Sequence, residues 1–198
     1  MVNINRVILL LVAIVAGTQI VSGIEHCGTI PITYYTFSYG IFLISALLML
    51  LMGVDIIEHP LAALAASTLP LGFSMGMVAV FLHDYHLGYG VLVSILYAGL
   101  VIQKLRQQTK SAMVFQILLH GITGLVLFIM PLVLVIQGEV NPGYLGISVG
   151  TGLIAVGGMA LAFLKSGKPI LTKEQIYLIF PGVLLLAVFA FSVGIGSR

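Results

Sequence analysis

The chain has 198 residues, a formal net charge of +2, 60% hydrophobic residues and 7% charged residues, whereas a soluble domain carries about 25% charge. With a mean hydropathy of +1.21, it reads as a polytopic membrane protein whose solvent is lipid. No basic run with interleaved aromatics points to nucleic acid, and the single cysteine, Cys27, excludes an internal disulfide and any CxxC redox pair.

In chain order, the first apolar run is "RVILLLVAIVAGTQIVSG", residues 6–23. One arginine followed by such a run also fits a signal peptide cleaved near Gly23; we take it as the first span. Seven spans are expected, at about 5–23, 37–57, 60–82, 87–103, 112–137, 144–164 and 176–196. The fourth is close to the lower limit of about 17 residues for a helix that crosses. Strands are not expected, because the runs far exceed the roughly 10-residue alternating segments of a membrane barrel. The fold class is therefore all-α: a single helical transmembrane domain over residues 1–198, with the longest loop over 24–36.

Loop charges give an orientation. Lys104, Arg106 and Lys110 lie in one loop, and Lys165, Lys168 and Lys173 in another. With seven spans both fall on the side of Arg6. The loops around 24–36, 83–86 and 138–143 have no Lys or Arg, and only Arg198 joins them on that side. The positive-inside rule then expects a cytoplasmic N-terminus and an outer C-terminus.

Small residues mark close approach of helices. Gly72 and Gly76 form a GxxxG in the third span. In the sixth, Gly146 and Gly150 share one face, and Ser148 and Gly152 another. Packing within the bundle is the plain reading, and a face for a partner subunit is the other. Pro70, Pro131 and Pro181 fall inside spans and are expected to kink or break them. Trp is absent, so Tyr34, Tyr35, Tyr85, Tyr89, Tyr144 and Tyr177 are expected to mark the membrane interface.

The polar residues form three groups. At the outer side stand Glu25, His26, Cys27, His83, Asp84 and His86. His83 and His86 share a face if a helix runs through them. With His26 or Cys27 they would make a nitrogen and sulfur ligand set for zinc or copper. The plain alternative is an interfacial turn. At the inner side, Asp55, Glu58 and His59 share a helical face in "VDIIEHP". The residue before a proline is biased away from helix, so Pro60 is expected to open the third span. This group is either an ion-pair cluster with Lys104, Arg106 or Lys110, or a metal site of Asp55, His59 and His120. The third group lies within the fifth span, where Gln116, His120 and Thr123 form a polar stripe about 12 Å from the cytoplasmic end. An ionisable group at this depth is a functional-site hypothesis by default. Gly121 and Gly124 leave room beside the imidazole for a flat macrocycle.

No Asp, Glu, Lys or Arg lies mid-span, which argues against a carboxylate proton relay or a voltage sensor. Seven spans match rhodopsins in number, but the last has no lysine for a Schiff base. No GxSxG, HExxH, Walker A or GxGxxG motif stands in the context its chemistry needs. Histidines at helix ends and in one span loosely resemble b-type cytochrome membrane subunits, without a shared motif, so no residue role is carried over. The leading expectation is a haem- or metal-binding electron-transfer subunit of a membrane redox complex, in a plasma or other energy-transducing membrane. It would hold haem b or a transition metal through His120, His59, Gln116 and Thr123, with quinone and other membrane subunits as partners. The alternatives are a small-solute transporter or channel, and a non-catalytic assembly subunit. Whether the chain is an enzyme stays open.

Overall fold

The computed structural model describes residues 4–23 and 28–198. Seven helices in it are long and apolar enough to cross a membrane. They are α1 (Ile4–Ser22), α2 (Thr29–Met52), α3 (Pro60–Phe81), α4 (His86–Leu105), α5 (Thr109–Ile136), α6 (Gly146–Lys165) and α7 (Lys173–Gly196). Short 3₁₀ turns, Val54–Glu58, His83–Tyr85 and Pro142–Leu145, lead into α3, α4 and α6. Seven helices of this length and composition make the chain an integral membrane protein.

Two boundaries depart from expectation for local reasons. The stretch expected as the longest loop is largely the first turns of α2, which starts at Thr29 rather than near 37. Thr, Tyr and Ser depress its hydropathy, yet its hydrogen bonds are helical, and Thr33 Oγ1 also donates to the Thr29 carbonyl at 2.8 Å. At its other end α2 stops at Met52 rather than near 57, because Gly53 takes φ +100 and the chain enters a 3₁₀ turn. Pro60 does open α3, and His59 caps it: the Leu61 amide donates to His59 Nδ1 at 3.3 Å.

α3 is the most buried helix. It packs against α2, α4 and α5; α7 packs against α1 and α6; and α5 also touches α6. An aromatic core joins α2, α3 and α7. Phe73 stacks on Phe191 at 4.5 Å, nearly parallel, while the Tyr39 ring meets Phe73 edge-on at 5.1 Å. Tyr35 and Tyr144, expected at the interface, are instead buried, packed against Phe73 and Phe81 respectively.

The glycine faces read from the sequence are filled from within the chain. A Cβ on Gly76 would meet the Tyr35 ring of α2, and one on Gly146 would stand 2.5 Å from the Ala190 carbonyl of α7. On the other face of α6, the Ser148 hydroxyl donates to the Phe128 carbonyl of α5 at 2.7 Å.

The three prolines do not break their helices, which run through them. A helical proline lacks the amide that would serve the carbonyl four residues back. For Pro181 that carbonyl is Tyr177, and Asn5 Nδ2 of α1 donates to it at 3.3 Å. Ser148 serves the turn before Pro131, and Ser38 Oγ of α2 donates to the Leu69 carbonyl beside Pro70 at 3.1 Å. Each proline thus sits beside a side-chain hydrogen bond that ties its helix to a neighbour.

Candidate functional site

The stripe within α5 is the most deeply placed polar group that sequence reading singled out. Because α5 begins at Thr109, His120 lies about 16 Å along the helix, deeper than the sequence boundary implied. The stripe turns partly on its own helix. The Thr123 hydroxyl is buried and donates to the Leu119 carbonyl at 2.7 Å. The His120 ring is half-buried, and its Nδ1–H donates to the Gln116 carbonyl at 3.0 Å. A carbonyl can only accept, so this bond places the ring proton on Nδ1. Nε2 then carries a lone pair. Further along α5, a Cβ on Gly121 or on Gly124 would meet nothing within 4 Å.

α5 changes neighbours along its length, and this leaves that space open. In its N-terminal half Ala112, Phe115, Leu119 and Ile122 pack with Val93, Leu96 and Leu100 of α4. In its C-terminal half Leu127 and Leu134 join a cluster with Ile147 and Leu153 of α6. Gly121 and Gly124 lie between these two regimes.

The inner group does not form a metal site. Asp55 and Glu58 lie in the 3₁₀ turn rather than on a helical face, and both are exposed. His59 Nδ1 is engaged as the cap of α3. Among the described residues no three His, Cys, Asp or Glu side chains gather to hold an ion, so Asp55, His59 and His120 are not brought together as a ligand set. The expected ion pairing also falls elsewhere: Glu58 pairs with Lys173, at the start of α7, at 2.9 Å, not with Lys104, Arg106 or Lys110. The Lys173 ammonium also lies over the Tyr177 ring, 5.4 Å from its centroid. The Tyr177 hydroxyl and the Lys173 ammonium hold the Glu58 carboxyl below the usual carboxylate range.

Sequence reading missed Asn5, Lys173 and Tyr177. A signal for each was present. Tyr177 is the residue four before Pro181, whose freed carbonyl needs a donor, and it stands one helical turn after Lys173.

At the outer side, His26 and Cys27, with Glu25, lie outside the described residues. His83 and His86 are described, and they meet: their rings stack with centroids 5.0 Å apart. An open groove of about 550 Å³ lies at this end between α3 and α5, lined by Phe81, Leu125, Ile129 and Val133 with Gln137 and Glu139.

No protein-family model, curated protein or solved structure matches this chain.

Proposed function

We propose that this chain is a membrane subunit in electron transfer that presents His120 to a haem b held at a face shared with a partner subunit. The observation that carries the reading is the state of His120. Its Nδ1–H is committed to the Gln116 carbonyl, which leaves the Nε2 lone pair as the ring's available ligand atom. Histidines that ligate metals hold their other ring nitrogen on a backbone carbonyl in this way, which sets the tautomer and the ring plane. A macrocycle needs small neighbours, and Gly121 and Gly124 leave unfilled space on the same helix, one residue and one turn beyond His120. Thr123 and Gln116 hold the stripe in register; a second axial ligand would come from the partner, since His59 serves as a helix cap. Quinone in the surrounding lipid is the natural electron donor or acceptor in an energy-transducing membrane. The basic loops after α4 and α6 support a cytoplasmic N-terminus and an outer C-terminus.

A transport path has less behind it. The interior hydroxyls of Ser38, Ser67, Ser74 and Ser148 each donate to a backbone carbonyl, and none of these serines lines the groove between α3 and α5.

The test is an absorption spectrum with elemental analysis on the tagged protein isolated from its own membranes in mild detergent. A Soret band, stoichiometric iron and the loss of both in His120→Ala are expected. A chain with its partners intact but with neither a Soret band nor bound iron ends the proposal.

A further inference from the structure

We propose that His83 and His86 form a two-histidine chelate for a single divalent transition-metal ion, of the zinc or copper class, at the outer end of the bundle. This site is separate from His120 and does not depend on the redox reading.

The backbone brings the two rings together. α3 ends at Phe81, residues 83–85 make a 3₁₀ turn, and His86 opens α4. In a 3₁₀ turn residues i and i+3 eclipse one another, unlike in an α-helix, where they are offset. The imidazoles consequently face each other, with centroids 5.0 Å apart and planes 25° from parallel.

The second observation concerns the ring nitrogens. His86 Nδ1–H donates to the His83 carbonyl at 2.6 Å. That bond sets the His86 tautomer and leaves Nε2 as a bare donor, the arrangement a metal-ligating histidine requires. The same carbonyl contact pins the His86 ring over the turn. The His83 ring makes no hydrogen bond to the described residues and can turn toward its partner. Metal–imidazole bonds are about 2.0–2.1 Å, so ring centres 5.0 Å apart are close enough to share one ion once the His83 ring turns out of the stack and points its lone pair at the ion held by His86.

The surroundings suit a cation. Asp84 lies between the two histidines in the turn, no Lys or Arg occurs from residue 7 to residue 103, and the Arg198 guanidinium that reaches this end is seated over the Phe81 ring, 5.3 Å from its centroid. His83 is exposed and His86 half-exposed, so water can complete the coordination shell and the ion can enter and leave. Borderline-soft Zn(II) and Cu(II) match an imidazole donor set, whereas Mg(II) and Ca(II) prefer oxygen ligands.

The test uses the full-length chain in detergent, stripped with chelator. Zn(II) is titrated by calorimetry, and Cu(II) is followed by electron paramagnetic resonance, whose hyperfine pattern counts the bound nitrogens. One ion per chain with two imidazole nitrogens is expected. His83→Asn and His86→Asn should each weaken binding by at least about 10-fold, while His59→Asn leaves it unchanged. Unchanged helicity and elution volume show that the variants remain folded. Binding that survives both outer substitutions marks an adventitious ion and overturns the proposal, as does the absence of binding at millimolar metal.

Discussion

At the scale of single residues, the glycines separate into two populations by what a methyl group would touch. Gly146 and Gly194 face each other across α6 and α7, and a Cβ on either would lie within 2.6 Å of backbone. Backbone cannot swing aside as a side-chain tip can. Gly146→Ala should therefore destabilise by about 1–3 kcal/mol, as overpacking does. Gly121→Ala meets nothing and should be neutral or stabilising by up to about 1 kcal/mol, since alanine is the better helix former. Unfolding titrations in mixed micelles compare the two. Glu58 supplies a pH test. Its carboxyl is held below the ordinary value by the Tyr177 hydroxyl and by Lys173. A depressed folded value means that the stabilisation is present above the unfolded carboxylate pKa of about 4.3 and is lost as pH falls through the folded value. Wild type should melt slightly above Glu58→Gln at neutral pH, with the two curves converging in acid. A gap that is constant from neutral pH into strong acid would contradict the ion pair. His120 was legible at this scale, because an ionisable residue in an apolar run stands out. Its tautomer was not, because that depends on which carbonyl the ring reaches.

At the scale of the helix, proline and its partner act as a unit. Pro181 leaves the Tyr177 carbonyl without an intrahelical donor, and Asn5 supplies one from α1. Asn5→Leu should cost about 0.6–1.7 kcal/mol, the range for hydrogen bonds between membrane helices. In the Pro181→Ala background the restored amide serves Tyr177 itself, and the cost of Asn5→Leu should fall toward zero. A double-mutant cycle in unfolding free energy reads this coupling directly. Equal costs in both backgrounds would remove the link. The seven helices themselves were readable from apolar run lengths, since lipid demands internally satisfied backbone over about 20 residues. The ends were less so. The start of α2 was hidden by its polar side chains, and its end by Gly53, whose left-handed φ cannot be read from hydropathy.

At the scale of the molecule, α5 crosses between neighbours, leaning on α4 near its start and on α6 near its end. The consequence is open lateral space at both halves: beside His120 in one, and in the groove lined by Phe81 and Ile129 in the other. With seven helices the termini fall at opposite ends, and the proposed orientation, with the N-terminus in the cytoplasm, is tested by labelling. In a Cys27→Ser background, a cysteine placed at Glu139 should react with a membrane-impermeant maleimide on intact cells. One placed at Lys168 should react only after permeabilisation. The reverse pattern would invert the topology.

The sequence by itself determined the solvent, the number of apolar helices and the placement of His120 within one of them, because each follows from the cost of exposing polar groups to lipid along one stretch of chain. Whether distant residues meet was decided only by the tertiary structure. It separated Asp55 and His59 from a ligand role by ending α2 at Met52 and using His59 as a cap. It filled the faces of Gly76 and Gly146 from within the bundle and left those of Gly121 and Gly124 open. It also stacked His83 on His86 through a 3₁₀ turn. Hydropathy reports how much a segment avoids water, but not which neighbour takes the water's place.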